Sequence, residues 1–300
     1  MRRTDDNLSE EDTIQIRLRA DTLMRKTGVY DILPTPTDRI VRTAGLRVDN
    51  SFFTESDVLS RMASAPAEKV RLARGALVGL VDIEGATIYV RPEISLLNLP
   101  PLVLHEVAHA YLEWQRDLYR FVQEDEASGI AHSLRDRFEL EANQFAWELI
   151  FQCDRFQRDA ERCPFSLDTP VKLADRYGTS VYAAVRWFVA TSGRPCALFV
   201  YSRQPGVGMR ARRPVQSPGF TRRFGALAWT QVVKRGGTAA FLAGYDARYT
   251  VHLPDLEGRI VDCELHSLTT ADHSFTLLYP TSVISMISLP RAFSNPAMDG

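Results

Sequence analysis

The chain contains no apolar run approaching the roughly 18 residues that a membrane-spanning helix requires, so no membrane partner is expected. It carries almost no net charge. Its 36 Lys and Arg residues stand against 37 Asp and Glu residues, leaving −1, which excludes recruitment of nucleic acid or an anionic membrane by bulk field. The start, Met1-Arg2-Arg3-Thr4-Asp5-Asp6, is polar and no apolar h-region follows, which argues against a secretory signal. Cysteine is sparse: Cys153, Cys163, Cys196 and Cys263 form no Cys-x-x-Cys pair. They fit reduced thiols in a cytoplasmic protein better than a disulfide scaffold. Gly206-x-Gly208 precedes no clear helix, so a phosphate-cradling loop is not expected there. What remains is ordinary globular material, 45% hydrophobic and 24% charged over 300 residues, a length that suits two domains.

One stretch departs from the ordinary. Leu104-His105-Glu106-Val107-Ala108-His109 is a His-Glu-x-x-His sequence inside an apolar run. On a helix, residues four apart share a face, so His105 and His109 can offer imidazole nitrogen to one divalent cation. Glu106 beside them can take a proton from water. Two surface histidines on an amphipathic helix would read the same way by spacing alone. A third ligand decides between the two readings, because catalytic zinc is commonly held by two His and one carboxylate, with one position left open.

A helix expected to start at a capping box, Ser133-Leu134-Arg135-Asp136, and to run to about Gln152 supplies two candidates, Glu139 and Glu141. Glu139 shares a stripe with Ala142, Asn143, Ala146 and Ile150, whose alanines permit close approach of the His105 helix. Glu141 lies about 200° round the helix, near Phe138 and Phe145. Glu139 is preferred and Glu141 kept as the alternative. Asn143, one turn after Glu139, is placed to hydrogen-bond a ligating imidazole. His132 either assists the chemistry or simply precedes the cap, and the second reading is preferred. Tyr89, Tyr111 and His132 are equal candidates for stabilising a developing oxyanion.

Elsewhere the pattern is coarser. Helices are expected over residues 13–25, closed by Gly28, over 38–43, and around Val58, Leu59 and Met62. Residues 1–12 should be frayed. Residues 46–48 form a short strand, and residues 76–83 and 86–90 form a hairpin around Glu84-Gly85. A strand just before the motif helix can pair with an extended peptide or be an ordinary sheet strand. The motif helix opens at Pro100-Pro101 and fades near residues 117–120. Residues 171–177 and 181–190 are two helices around Gly178, resembling a helix-turn-helix. The second of them has few groups able to read base edges, so direct DNA binding is not expected and packing is. After Ser192-Gly193-Arg194-Pro195 the pattern turns to strands over residues 196–201, 227–233, 249–253, 260–268 and 275–279. Arg203, Arg210, Arg212, Arg213, Arg222 and Arg223 read as a flexible solvated loop, or else as a surface for an acidic partner or nucleic acid.

The residues His105-Glu106-Val107-Ala108-His109 followed by Glu139-Leu140-Glu141-Ala142-Asn143-Gln144-Phe145-Ala146 resemble the ImmA/IrrE metallopeptidases. The likeness covers about residues 30–190. It departs at Pro100-Pro101-Leu102-Val103-Leu104, where the family often has a Thr-x-x-His lead-in, and at Ile150-Phe151-Gln152, where Leu-Leu-x-Pro is usual. The resemblance implies a zincin-like α+β domain with zinc, or another divalent cation such as Mn2+, on His105, His109 and Glu139, and Glu106 as catalytic base. It also implies a protein substrate, a helix-turn-helix repressor cleaved to derepress stress-response or mobile-element genes. The expected organisation is a metallopeptidase domain over residues 1–150, a helical segment over 151–193, and a β-rich domain over 194–300. By length and order the last resembles the sensory GAF-like domain of longer family members. The alternative is a DNA- or protein-binding transcriptional regulator with an inactive or structural metal site.

Overall fold

A computed structural model describes residues 8–50, 79–91, 94–116, 129–204, 208–226 and 247–281. The chain is mixed α and β, with two sheets, and divides into two compact units, Met1–Phe188 and Val189–Gly300. The helix expected near Val58 and the strand expected at 227–233 lie outside the described residues.

The first unit opens with helix α1, Glu10–Thr27. It starts earlier than the sequence pattern suggests, because Ser9 and Asp12 form a reciprocal capping box: Ser9 Oγ accepts from the Asp12 N–H, and Asp12 accepts from the Ser9 N–H. Acidic Glu10, Glu11 and Asp12 meet its N-terminus and Arg25 and Lys26 its C-terminus, each complementing the helix dipole. Gly28, left-handed at φ +66°, ends it. Ile16, Ala20, Leu23 and Met24 are its buried stripe, which packs on helix α4, described below. Helix α2 is Thr37–Thr43. A three-stranded sheet follows, made of β1 (Arg47–Asp49), β2 (Gly79–Asp82) and β3 (Thr87–Val90) in the order β1-β3-β2. β2 and β3 form the expected hairpin, and β1 lies parallel to β3. The strand nearest the motif in sequence is therefore the central one, already paired on both sides. Among the described strands, the outer edge toward the motif helix belongs to β2.

Helix α3, Leu99–Tyr111, carries the motif. It ends sooner than expected. Leu112 adopts an extended conformation (φ −74°, ψ 110°), and a separate short turn takes residues 113–116. Helix α4, Gly129–Ile150, also differs from expectation: it begins a turn before Ser133, so that serine lies inside the helix and is not its cap. α3 and α4 pack closely with Ala142 and Ala146 at 0% and 2% exposure, small side chains that permit the approach.

The chain leaves α4 through Gln152 and Cys153, both left-handed. Gln152 is buried and saturated. Its amide donates to Val29 O, Ile32 O and Thr35 Oγ1, and its carbonyl accepts from the Asp31 N–H and from Arg155. Helices α5 (Arg155–Glu161), α6 (Asp168–Arg176) and α7 (Val181–Ala190) follow. The ring of Phe151 ties the end of α4 to them through Phe156 (centroids 4.8 Å apart), Trp187 (5.1 Å) and Tyr177 (6.0 Å). Gly178 turns between α6 and α7 at φ +62°, with Pro34 so near that any Cβ would meet it at 2.7 Å. Ala183, Ala184, Val185, Trp187, Phe188 and Val189 of α7 are all buried, which supports packing as the role of this helix pair.

The second unit is a six-stranded antiparallel sheet. Its strands are β4 (Ala197–Gln204), β5 (Gly208–Ala211), β6 (Val215–Gln216), β7 (Ala247–Pro254), β8 (Ile260–Thr269) and β9 (His273–Pro280), in the order β5-β4-β9-β8-β7 with β6 also on β4. Helix α8, Pro218–Phe224, sits between β6 and β7 in the chain and contributes Phe220 and Phe224 to a core with Phe199, Leu253, Cys263 and Leu265. The expected flexible arginine loop is largely built into structure. Arg203 and Arg210 lie in paired strands, Arg212 donates to Ser202 Oγ, and Arg222 and Arg223 belong to α8. The four cysteines carry no disulfide, and among the described residues no helix is long and apolar enough to cross a membrane.

Candidate metal centre

One helical turn separates His105 from His109, and the close packing of α4 on α3 adds Glu139 from thirty residues further on. His105 Nε2 and His109 Nε2 stand 3.1 Å apart. Glu139 Oε2 is 3.2 Å from His105 Nε2, and Glu139 Oε1 is 3.6 Å from His109 Nε2. These three are the group of His, Cys, Asp and Glu side chains among the described residues arranged to hold a metal ion. The separations fit a zinc ion: donors about 2.1 Å from one tetrahedral centre stand roughly 3.4 Å from each other. His109 is buried, and the Glu139 side chain is 54% exposed, so the cluster opens to solvent on the carboxylate side.

The electrostatics suit a cation. Burial, with the neighbouring His105, moves the His109 pKa down to about 4, so its imidazole is neutral and able to ligate at pH 7. Burial opposes charge on His105 as well. There the hydrogen bond to Glu139 and the carboxylates of Glu106 and Glu139 prevail and move its pKa up. The same hydrogen bond, against burial, lowers the pKa of Glu139. Glu106 is buried, and burial lifts its carboxyl to about 7, moderated by His105 and by the Val81 backbone N–H of β2. A group with that pKa is poised to take up and release a proton near neutrality.

The other candidate residues are also placed. Asn143 Nδ2 donates to the Glu139 backbone carbonyl at 2.7 Å, and its side chain also reaches His105. Glu141 does not join the cluster. It is 2% exposed and accepts from Arg137 Nε (2.8 Å), Trp114 Nε1 (2.7 Å) and Gln115 Nε2 (2.8 Å). His132 lies in the first turn of α4, where its side chain is outside the described residues. Tyr111 packs on Phe145 with centroids 5.9 Å apart, and Tyr89 is buried in β3. Gln115 was not legible from the sequence. It is fully buried, and its Oε1 is 2.8 Å from His109 Nδ1.

The class the fold and site define is a mixed α/β protein with a His-His-Glu cluster behind a buried glutamate. No family model matches the chain, and no curated protein matches it. Among solved structures it is similar to a Mycobacterium tuberculosis transcriptional regulator, at 13% sequence identity and a TM-score of 0.49, over 89% of this chain and 76% of that one. A likeness of that degree carries nothing about activity.

Proposed function

We propose that the chain is a zinc-dependent endopeptidase of the ImmA/IrrE type, with a zincin-like first unit and a helix-turn-helix repressor as its substrate class. The observation that carries this reading is the convergence of His105, His109 and Glu139 beside a buried Glu106. A structural site would close all four positions with protein ligands and has no use for an adjacent base.

The residues fit the metal by donor type, separation and protonation. When bound, zinc polarises a carbonyl and lowers the pKa of coordinated water to about 7. Glu106 takes the proton from the attacking water and returns it to the leaving amine. Its buried position, facing the Val81 N–H, keeps the carboxyl oriented through both transfers. Glu139, His105 and His109 would hold the metal, and Asn143 braces the backbone that carries Glu139.

The antiparallel order of the second unit supports reading it as a GAF-like sensory module. Deleting residues 195–300 should then change how the activity is regulated, and unchanged regulation and activity would remove that role. The test of the activity itself is incubation of the zinc-loaded chain with candidate helix-turn-helix repressors, with and without a chelator. The expected result is cleavage that the chelator abolishes. Salt-dependent DNA binding that survives Glu106→Gln, without cleavage, would favour a transcriptional regulator with an inactive metal site.

A further inference from the structure

We propose that Gln115 and Glu141 are positioning residues that fix the proton of His109 on Nδ1 and so aim its Nε2 lone pair at the metal. This rests on the metal-centre reading above. The amide of Gln115 lies at the centre of the network. Its NH2 group has two hydrogens and faces two acceptors, Phe138 O at 3.2 Å and Glu141 Oε2 at 2.8 Å. The opposite orientation would set the Gln115 carbonyl oxygen against both. The amide orientation is therefore dictated by the network and needs no choice between look-alike atoms.

That leaves Gln115 Oε1 facing His109 Nδ1 at 2.8 Å. An amide oxygen only accepts, so Nδ1 must carry the hydrogen. A neutral His109 then has its lone pair on Nε2, the atom 3.1 Å from His105 Nε2 and 3.6 Å from Glu139. Glu141 anchors the device from behind. It gathers three N–H donors, from Trp114, Gln115 and Arg137, and Arg137 continues to Asp12 at 2.8 Å. Asp12 is itself half of the capping box of α1, so the chain of contacts runs from the imidazole to the start of the first helix.

The early end of α3 makes this possible. Six residues after His109 in an unbroken helix, Gln115 would point about 120° away from it and more than a turn further along. The extended residue Leu112 turns the chain so that the side chain comes back. A ligating histidine held by a carboxylate or carbonyl through its second nitrogen is a general arrangement. In this chain a neutral amide is interposed between the imidazole and the carboxylate.

The test uses the full-length protein. Long-range nitrogen–proton correlation spectra of the histidine rings should show His109 with hydrogen on Nδ1, in the metal-free and the zinc-loaded chain. An Nε2–H form in the metal-free chain overturns the proposal. Gln115→Leu should weaken zinc binding, measured by chelator competition, by roughly 10–100-fold. In the metal-free Gln115→Leu chain the same spectra should show His109 no longer held in the Nδ1–H form. A folded Gln115→Leu chain binding zinc within about twofold of the original overturns the proposal, as does one whose metal-free His109 keeps the Nδ1–H form unchanged. A chain that binds no zinc at all overturns this inference together with the reading beneath it. Zinc binding with the Nδ1–H form but no cleavage of any repressor overturns the peptidase reading and supports this one.

Discussion

At the scale of the residue, the proposed function separates holding the metal from moving the proton. His105, His109 and Glu139 present the converging donor atoms, and Glu106 stands beside them with a carboxyl that burial lifts to about 7. Glu106→Gln should therefore keep zinc and lose cleavage by a factor on the order of 10²–10⁴. His105→Ala or His109→Ala should lose both. Metal analysis combined with a cleavage assay separates these outcomes, and a Glu106→Gln chain with undiminished activity would remove Glu106 from its role. A second buried carboxylate gives a pH signature remote from the site. Glu148 is buried on α4, with Arg17 on α1 at 4.0 Å and one oxygen lacking a hydrogen-bond partner. Burial raises its pKa to about 7, opposed by Arg17 and the Gln144 side chain and reinforced by Asp154. A carboxyl whose folded pKa is raised favours the fold below its ordinary value, and that contribution is lost as pH rises through 7. Glu148→Gln should thus be stabilising relative to the original chain at pH 8, by at most roughly 3 kcal/mol, with the difference shrinking toward pH 5. Thermal unfolding across that range checks the slope, and a difference independent of pH would contradict it.

At the scale of the element, the joint between α4 and the helices after it rests on Phe151, fully buried among Phe156, Tyr177 and Trp187. Phe151→Ala should cost about 3–5 kcal/mol of stability, read by denaturant unfolding, while leaving the ligand separations on α3 and α4 in place. Ser217 anchors the second unit in a similar way. Its hydroxyl accepts from the Cys196 and Phe220 N–H groups and donates to Arg194 O. Ser217→Ala should cost about 1–3 kcal/mol, and a loss below a few tenths of that would mean water replaces those bonds. The same elements show what could be read from the chain beforehand. The preference for Glu139 over Glu141 was legible because Ala142 and Ala146 mark the face of α4 that can approach another helix. The hairpin was legible from Glu84-Gly85 between two apolar runs. The break at Leu112 was not, because no glycine or proline marks it and Leu112 continues the apolar stripe of α3. Without that break Gln115 has no reason to be near His109, so its contact is a product of tertiary structure. The start of α4 was misplaced for a related reason: Ser133 and Asp136 imitate a capping box inside a helix that had already begun.

At the scale of the whole molecule, the His105, His109 and Glu139 group lies wholly within Met1–Phe188. A ligand that binds only the folded form stabilises by mass action, about 4 kcal/mol at a thousand times its dissociation constant. Zinc should therefore raise the unfolding temperature of the first unit, and a chelator should reverse the change, with little effect on signals from the second. Equal shifts in both units would show that the two unfold as one. Titration of the metal-free chain with zinc tests most directly whether two imidazoles and one carboxylate hold a single divalent cation. One zinc per chain is expected, retained in Glu106→Gln and weakened by about 100-fold or more in His105→Ala, His109→Ala and Glu139→Ala. Zinc binding of undiminished affinity in those three variants, or none in the original chain, would contradict it.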